Sequence, residues 1–127
     1  MYITIDENDR RAIYQQVVDE IKAIIAAGEL PEGSALPPVR QVAADLGVNL
    51  NTVAVAYRKL QEAGLIKIRH GSGAVVISRV APTSDEERLQ SKLMPVLTDM
   101  ILAGMTRSEV LAMVNTSLKR LGGEKNR

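Results

Sequence analysis

Apolar positions in the first third of the chain recur at helical spacing. Tyr14, Val17, Val18, Ile21, Ile24 and Ile25 share one stripe, which predicts a helix from about Arg10 to Ala27. Gly28 suits its C-cap, and Pro31 prevents it from resuming. Glu32-Gly33 signals a turn, and Leu36 makes a short extended contact before Pro37-Pro38. A second helix starts near Pro38, because proline fits a first helical turn. It runs to about Leu46 with Val39, Val42, Ala43 and Leu46 inward. Gly47 ends it, Val48 plugs the turn, and Asn49 has the chemistry of an N-cap. The third helix runs from about Leu50 to Ala63. It turns Val53, Ala56, Tyr57 and Leu60 toward the core and stops at Gly64.

The period then changes to two. Leu65 to Arg69 alternates apolar and basic residues, and Ala74 to Ser78 is apolar and β-branched. With Gly71-Ser72-Gly73 between them, the two runs predict a hairpin. Pro82-Thr83 reads as a linker. Beyond it, Ser84-Asp-Glu-Glu87 has the pattern of a capping box opening a helix striped with Leu89, Leu93, Val96, Leu97, Met100 and Ile101. Pro95 lies inside that stripe and is expected to kink or divide the helix. Thr106-Arg-Ser-Glu109 opens a last helix, with Val110, Leu111, Val114, Leu118 and Leu121 inward and Gly122-Gly123 at its end. The expected architecture is mainly α with a small β hairpin. Residues 1–80 form a winged helix-turn-helix domain, and residues 84–123 form a C-terminal two-helix unit.

Composition narrows the chemistry. With no Phe and no Trp, the core must come from Val, Ile, Leu, Met and Ala. With no cysteine, disulfides and thiolate metal sites are excluded. No apolar run follows a basic flank near Met1, so no signal peptide is read, and a cytoplasmic location is expected. The apolar stretches are too short and interrupted to span a bilayer, so no membrane partner is expected. The single histidine, His70, falls at the hairpin tip, so no triad, metal centre, cofactor site or other catalytic constellation is read, and the chain is not expected to be an enzyme.

The net charge of +1 argues for nothing, but its distribution does. Residues 1–39 hold three Lys/Arg against seven Asp/Glu, and residues 40–80 hold six against two. A basic central segment in a balanced chain fits a local surface for a polyanion.

Two helices joined by a glycine-containing turn, the second free on one face, are what a helix-turn-helix requires. The outward face of the third helix offers Asn51, Thr52, Val55, Arg58 and Lys59. Its N-terminal end, with Asn49 and Asn51, would enter the major groove of double-stranded operator DNA. Asn pairs adenine bidentately, and Thr reaches a phosphate or a thymine methyl. Asn49 also reads simply as a cap. Arg40 places a cation in a first helical turn, against the helix dipole, so it needs a partner: DNA, or an ion pair such as Asp45. Arg69, His70, Gly71 and Ser72 form a wing tip able to reach the minor groove or its phosphates.

The chain resembles the GntR family of bacterial transcription regulators. The resemblance is carried by Ile13-Tyr14-Gln15-Gln16, Gly28-Glu-Leu30, Gly33, Leu36-Pro-Pro-Val-Arg40, Leu46-Gly-Val48, Asn51-Thr-Val53, Ala56-Tyr-Arg-Lys-Leu60, Glu62-Ala-Gly-Leu-Ile66 and His70-Gly-Ser-Gly73. It implies a winged-helix domain that binds operators as a homodimer, with DNA contacts at Arg40, Asn49, Asn51, Thr52, His70 and Gly71. The short helical tail resembles the YtrA subfamily, whose tail implies dimerisation, here through Leu89, Leu93, Val96, Leu97, Met100, Ile101, Leu111, Val114 and Leu118. Two positions depart from the pattern. Leu50 and Ala54 stand where the family commonly has arginine, so guanine readout weakens by about 1–3 kcal/mol per lost bidentate contact. Leu50 then becomes a candidate for a thymine methyl. Pro38 replaces a common serine. The expected function is a sequence-specific regulator, a repressor on a palindromic operator, with a small-molecule effector as an open addition. The alternative is a protein–protein interaction module that has lost operator binding.

Overall fold

A computed structural model describes residues 1–70, 73–81 and 85–122. Gly71 and Ser72 of the wing tip, the Pro82-Thr83 linker, Ser84 and Gly123 fall outside the described residues. The chain divides into two compact units, Met1–Pro82 and Thr83–Arg127.

In the first unit, α1 (Ile13–Ala26), β1 (Ala35–Leu36), α2 (Val39–Leu46), α3 (Leu50–Glu62), β2 (Ile66–Arg69) and β3 (Gly73–Val76) follow in order. The α1 helix begins later than the stripe suggests. Arg11 is held outside it, bonded at 2.6 Å to both Asp9 and Asp19. Helices α1 and α2 pack on α3, and the stripe residues meet there: Val17, Ile21, Ile25, Val53, Ala56, Tyr57 and Leu60 are all buried. Tyr14 is only half-buried and leaves that stripe.

The sheet has three strands, not the two of a hairpin, in the order β1-β3-β2 and antiparallel throughout. Leu36 pairs with Ala74 and Ile66 with Val76, and these residues form its buried face. Gly73 sits where β3 meets β1, at φ +83°. A Cβ there would come within 3.1 Å of the Leu36 carbonyl, so glycine is required twice over.

Among the described residues of this unit, Gln16 is the buried polar one, and both ends of its amide are hydrogen-bonded. Its Oε1 accepts from the Asp6 N–H at 2.9 Å, and its Nε2 donates to the Asp6 carbonyl at 3.1 Å. This fastens the N-terminal segment, which lays Ile3 and Ile5 on the core.

The second unit is a pair of helices, α4 (Glu86–Leu102) and α5 (Arg107–Arg120). The cap of α4 is Asp85, whose side chain accepts from the Glu87 N–H, one residue later than the capping-box reading. Pro95 does not divide α4, which runs through it. The carbonyl that loses its donor belongs to Ser91, an exposed residue, so the missing N–H leaves no buried group unpaired. Thr106 and Glu109 form a complete capping box at the start of α5. The apolar stripes are not inward. No residue of α4 is buried, and Val110 alone is buried in α5.

Candidate nucleic-acid interface

The approach to α2 is set by Pro37-Pro38, with Pro38 as N-cap. Tyr57, on the buried edge of α3, donates its hydroxyl to the Pro37 carbonyl at 2.6 Å. Burial pushes the Tyr57 hydroxyl well above the usual phenol range, so it stays protonated and donating. Gly47 caps α2 at φ +67°, in the left-handed region. The Val48 N–H then returns to the Ala43 carbonyl at 3.0 Å, and Asn49 opens α3.

Asn49 is the cap of α3. Its Oδ1 accepts from the Asn51 N–H at 2.7 Å, so that oxygen is committed to the helix. The Asn51 side chain makes no hydrogen bond among the described residues and is exposed. Leu50, Arg58 and Lys59 are exposed, while Thr52, Ala54 and Val55 are half-buried. The sequence-predicted face of α3 therefore stays free of the core.

Arg40 lies exposed in the first turn of α2. Among the described residues it has no ion pair, with Asp45 or any other, and the same holds for Arg58 and Arg69. Lys59 stands 4.0 Å from Glu62 on its own helix. Arg69 ends β2, and His70 follows it, both exposed.

The sequence profile of "Bacterial regulatory proteins, gntR family" matches residues 13–76, from the first residue of α1 to the last of β3. The chain belongs to the GntR family.

Its likeness to one HTH-type transcriptional repressor spans nearly the whole chain. It is 28% identical over 130 residues to the transcriptional repressor YtrA of Bacillus subtilis, covering 98% of each chain. Coverage of other relatives is smaller. A transcriptional regulator of Mycobacterium tuberculosis is 43% identical over 68 residues, and the chain spans 28% of its length. Among solved structures, a transcriptional antiterminator of Listeria monocytogenes superposes with a TM-score of 0.83 at 26% identity, covering 96% of this chain and 93% of that one. YtrA of Sulfolobus acidocaldarius, a GntR-family transcription factor, gives a TM-score of 0.63 at 36% identity over 76% of this chain and 97% of its own. This chain is a YtrA-like GntR regulator.

Three contacts that frame the GntR site are not visible in the sequence. Gln61 accepts from the Ile68 N–H at 2.7 Å through Oε1, tying the end of α3 to β2 and so fixing the wing against the recognition helix. Arg79, counted in the basic segment, is structural. Its guanidinium donates to the Ile25 carbonyl at 3.3 Å and the Ala26 carbonyl at 2.6 Å, capping the C-terminus of α1. Tyr14 and Ile13, with Ala12, border a cleft of about 340 Å³ whose far side is Asn51, Thr52 and Val55 of α3. Each depends on a partner distant in sequence, and no local motif signals it.

Proposed function

We propose that this GntR regulator is a sequence-specific repressor that grips a twofold operator as a homodimer. The helix-turn-helix unit supplies the reading head. The N-terminal end of α3 enters the major groove with Leu50, Asn51 and Thr52, and Asn49 stays mainly as its cap. Arg40, Arg58 and Arg69, with Lys59, His70, Gly71 and Ser72, hold phosphates on either side. A cation with no ion pair among the described residues gives up no such partner on meeting a phosphate, which favours the first three.

The observation that carries dimerisation is the second unit. Leu89, Leu93, Val96, Ile101, Leu111, Val114 and Leu118 are all exposed in the single chain. Leu111, Val114, Leu118 and Leu121 repeat at three- and four-residue steps, the seam of helices that pair with other helices. A two-helix hairpin with almost nothing buried has no stability of its own, and a second copy supplies the missing surface. Twofold pairing also presents two recognition helices to successive major grooves, about 34 Å apart. Occupation of such a site across a promoter excludes polymerase, which fits the repressor name of YtrA.

Binding selection from random duplexes tests the reading, run with the native chain and with Arg40→Ala and Asn51→Ala. The expected result is an inverted repeat that both substitutions weaken, Asn51→Ala by about tenfold or more. No enrichment above a salt-sensitive background would favour the interaction-module alternative.

A further inference from the structure

The reading end of α3 carries no charge. From Leu50 to Tyr57 every residue is apolar or neutral, and the first cation, Arg58, stands about 12 Å along the axis from the helix start. Bidentate recognition of guanine takes Arg or Lys, so that chemistry is missing where the helix would enter the groove. What stands there instead is methyl surface. Leu50 is the first residue of α3, is 48% exposed and takes no part in the core cluster. Ala54 and Val55 follow one turn on, both half-buried. Across the cleft bordered by Asn51, Thr52 and Val55, α1 adds Ile13, itself 42% exposed. None of the residues lining that cleft is charged. Asn51 is the amide within it.

We infer that this regulator selects A·T base pairs at the positions read by the start of α3, Leu50 packing on a thymine C5-methyl and Asn51 pairing with adenine. The occupant follows from chemistry: in the major groove the thymine methyl is the apolar feature of the bases, and adenine is the base that an amide pairs bidentately. The inference rests on the operator-binding reading and sharpens it.

Deoxyuridine replacing thymine, one position at a time in the selected duplex, removes the methyl and leaves base pairing intact. The native protein should lose about fourfold in affinity at one thymine or more per half-site, the cost of one buried methyl. Leu50→Ala should bind the unmodified duplex more weakly and show no further loss at that same position. With that thymine replaced by cytosine, 5-methylcytosine should restore about fourfold for the native protein and nothing for Leu50→Ala. Selected half-sites that are G·C at these positions, or equal affinity for thymine and deoxyuridine duplexes, overturn the inference and leave the operator reading standing. Failure to select any duplex overturns both. The deoxyuridine series uses the native chain, so it decides the matter even if Leu50→Ala were to misfold.

Discussion

At the scale of single residues, the site is held by side chains whose partners are distant in sequence. Tyr57 and Pro37, twenty positions apart, are joined by one hydrogen bond. Tyr57→Phe keeps the packing and deletes that bond, so stability in urea unfolding should fall by about 1 kcal/mol. Asn49 was legible in two ways, as a cap and as a base reader. The structure commits its Oδ1 to the cap, so Asn49→Ala should also cost about 1 kcal/mol in the same assay. Arg79 was not legible. It stands in a segment whose charge count points to a polyanion, yet its guanidinium serves the carbonyls of α1. Charge counts record residue type and carry no information on long-range partners. An acid-sensitive bond is also visible. The Arg11 guanidinium, followed by the Arg11 N–H, holds the Asp9 carboxyl down at about 2, below its ordinary 3.8. A carboxylate with a depressed folded-state pKa stabilises the fold above its unfolded pKa and loses that contribution as pH falls through the folded value. Between about pH 4 and pH 2, Asp9→Asn should therefore flatten the acid limb of a thermal-melting profile. The pair is solvent-exposed, so the change will be small.

Elements were legible where their period is long. The stripes of α1 and α3 and the caps at Gly47 and Asn49 were readable, because each repeats or punctuates over many residues. The two-residue strand β1 is too short to show an alternation, so the sheet was read as a hairpin. At Pro95, where a kink or a division was expected, α4 is not divided, and the carbonyl freed by the proline belongs to exposed Ser91. The turn between α2 and α3 offers a direct test. A Cβ on Gly47 meets nothing within 4 Å, so Gly47→Ala has no steric clash and pays only for left-handed backbone. Its cost should be about 1–2 kcal/mol in thermal unfolding, with operator affinity falling because the angle of α3 depends on that turn.

For the whole molecule, the contrast between units is the governing fact. The first unit closes its own core around Ile21, Tyr57 and Leu60, while the second leaves Leu93 and Leu111 about half exposed. The α5 stripe was read as inward, yet Leu111, Val114, Leu118 and Leu121 are exposed in the single chain, because sequence periodicity cannot say whether a stripe faces its own chain or another. Leu111→Asp combined with Leu118→Asp places charge on the proposed seam. Sedimentation should then report a monomer, far-ultraviolet circular dichroism should show lost helix, and operator affinity should drop while the first unit still melts cooperatively. The central claim, twofold operator binding, is tested most directly by sedimentation of the native chain with one selected duplex. Two chains should occupy each duplex at saturation, with neither half-site alone binding comparably. One chain per duplex on a site without inverted symmetry would contradict it.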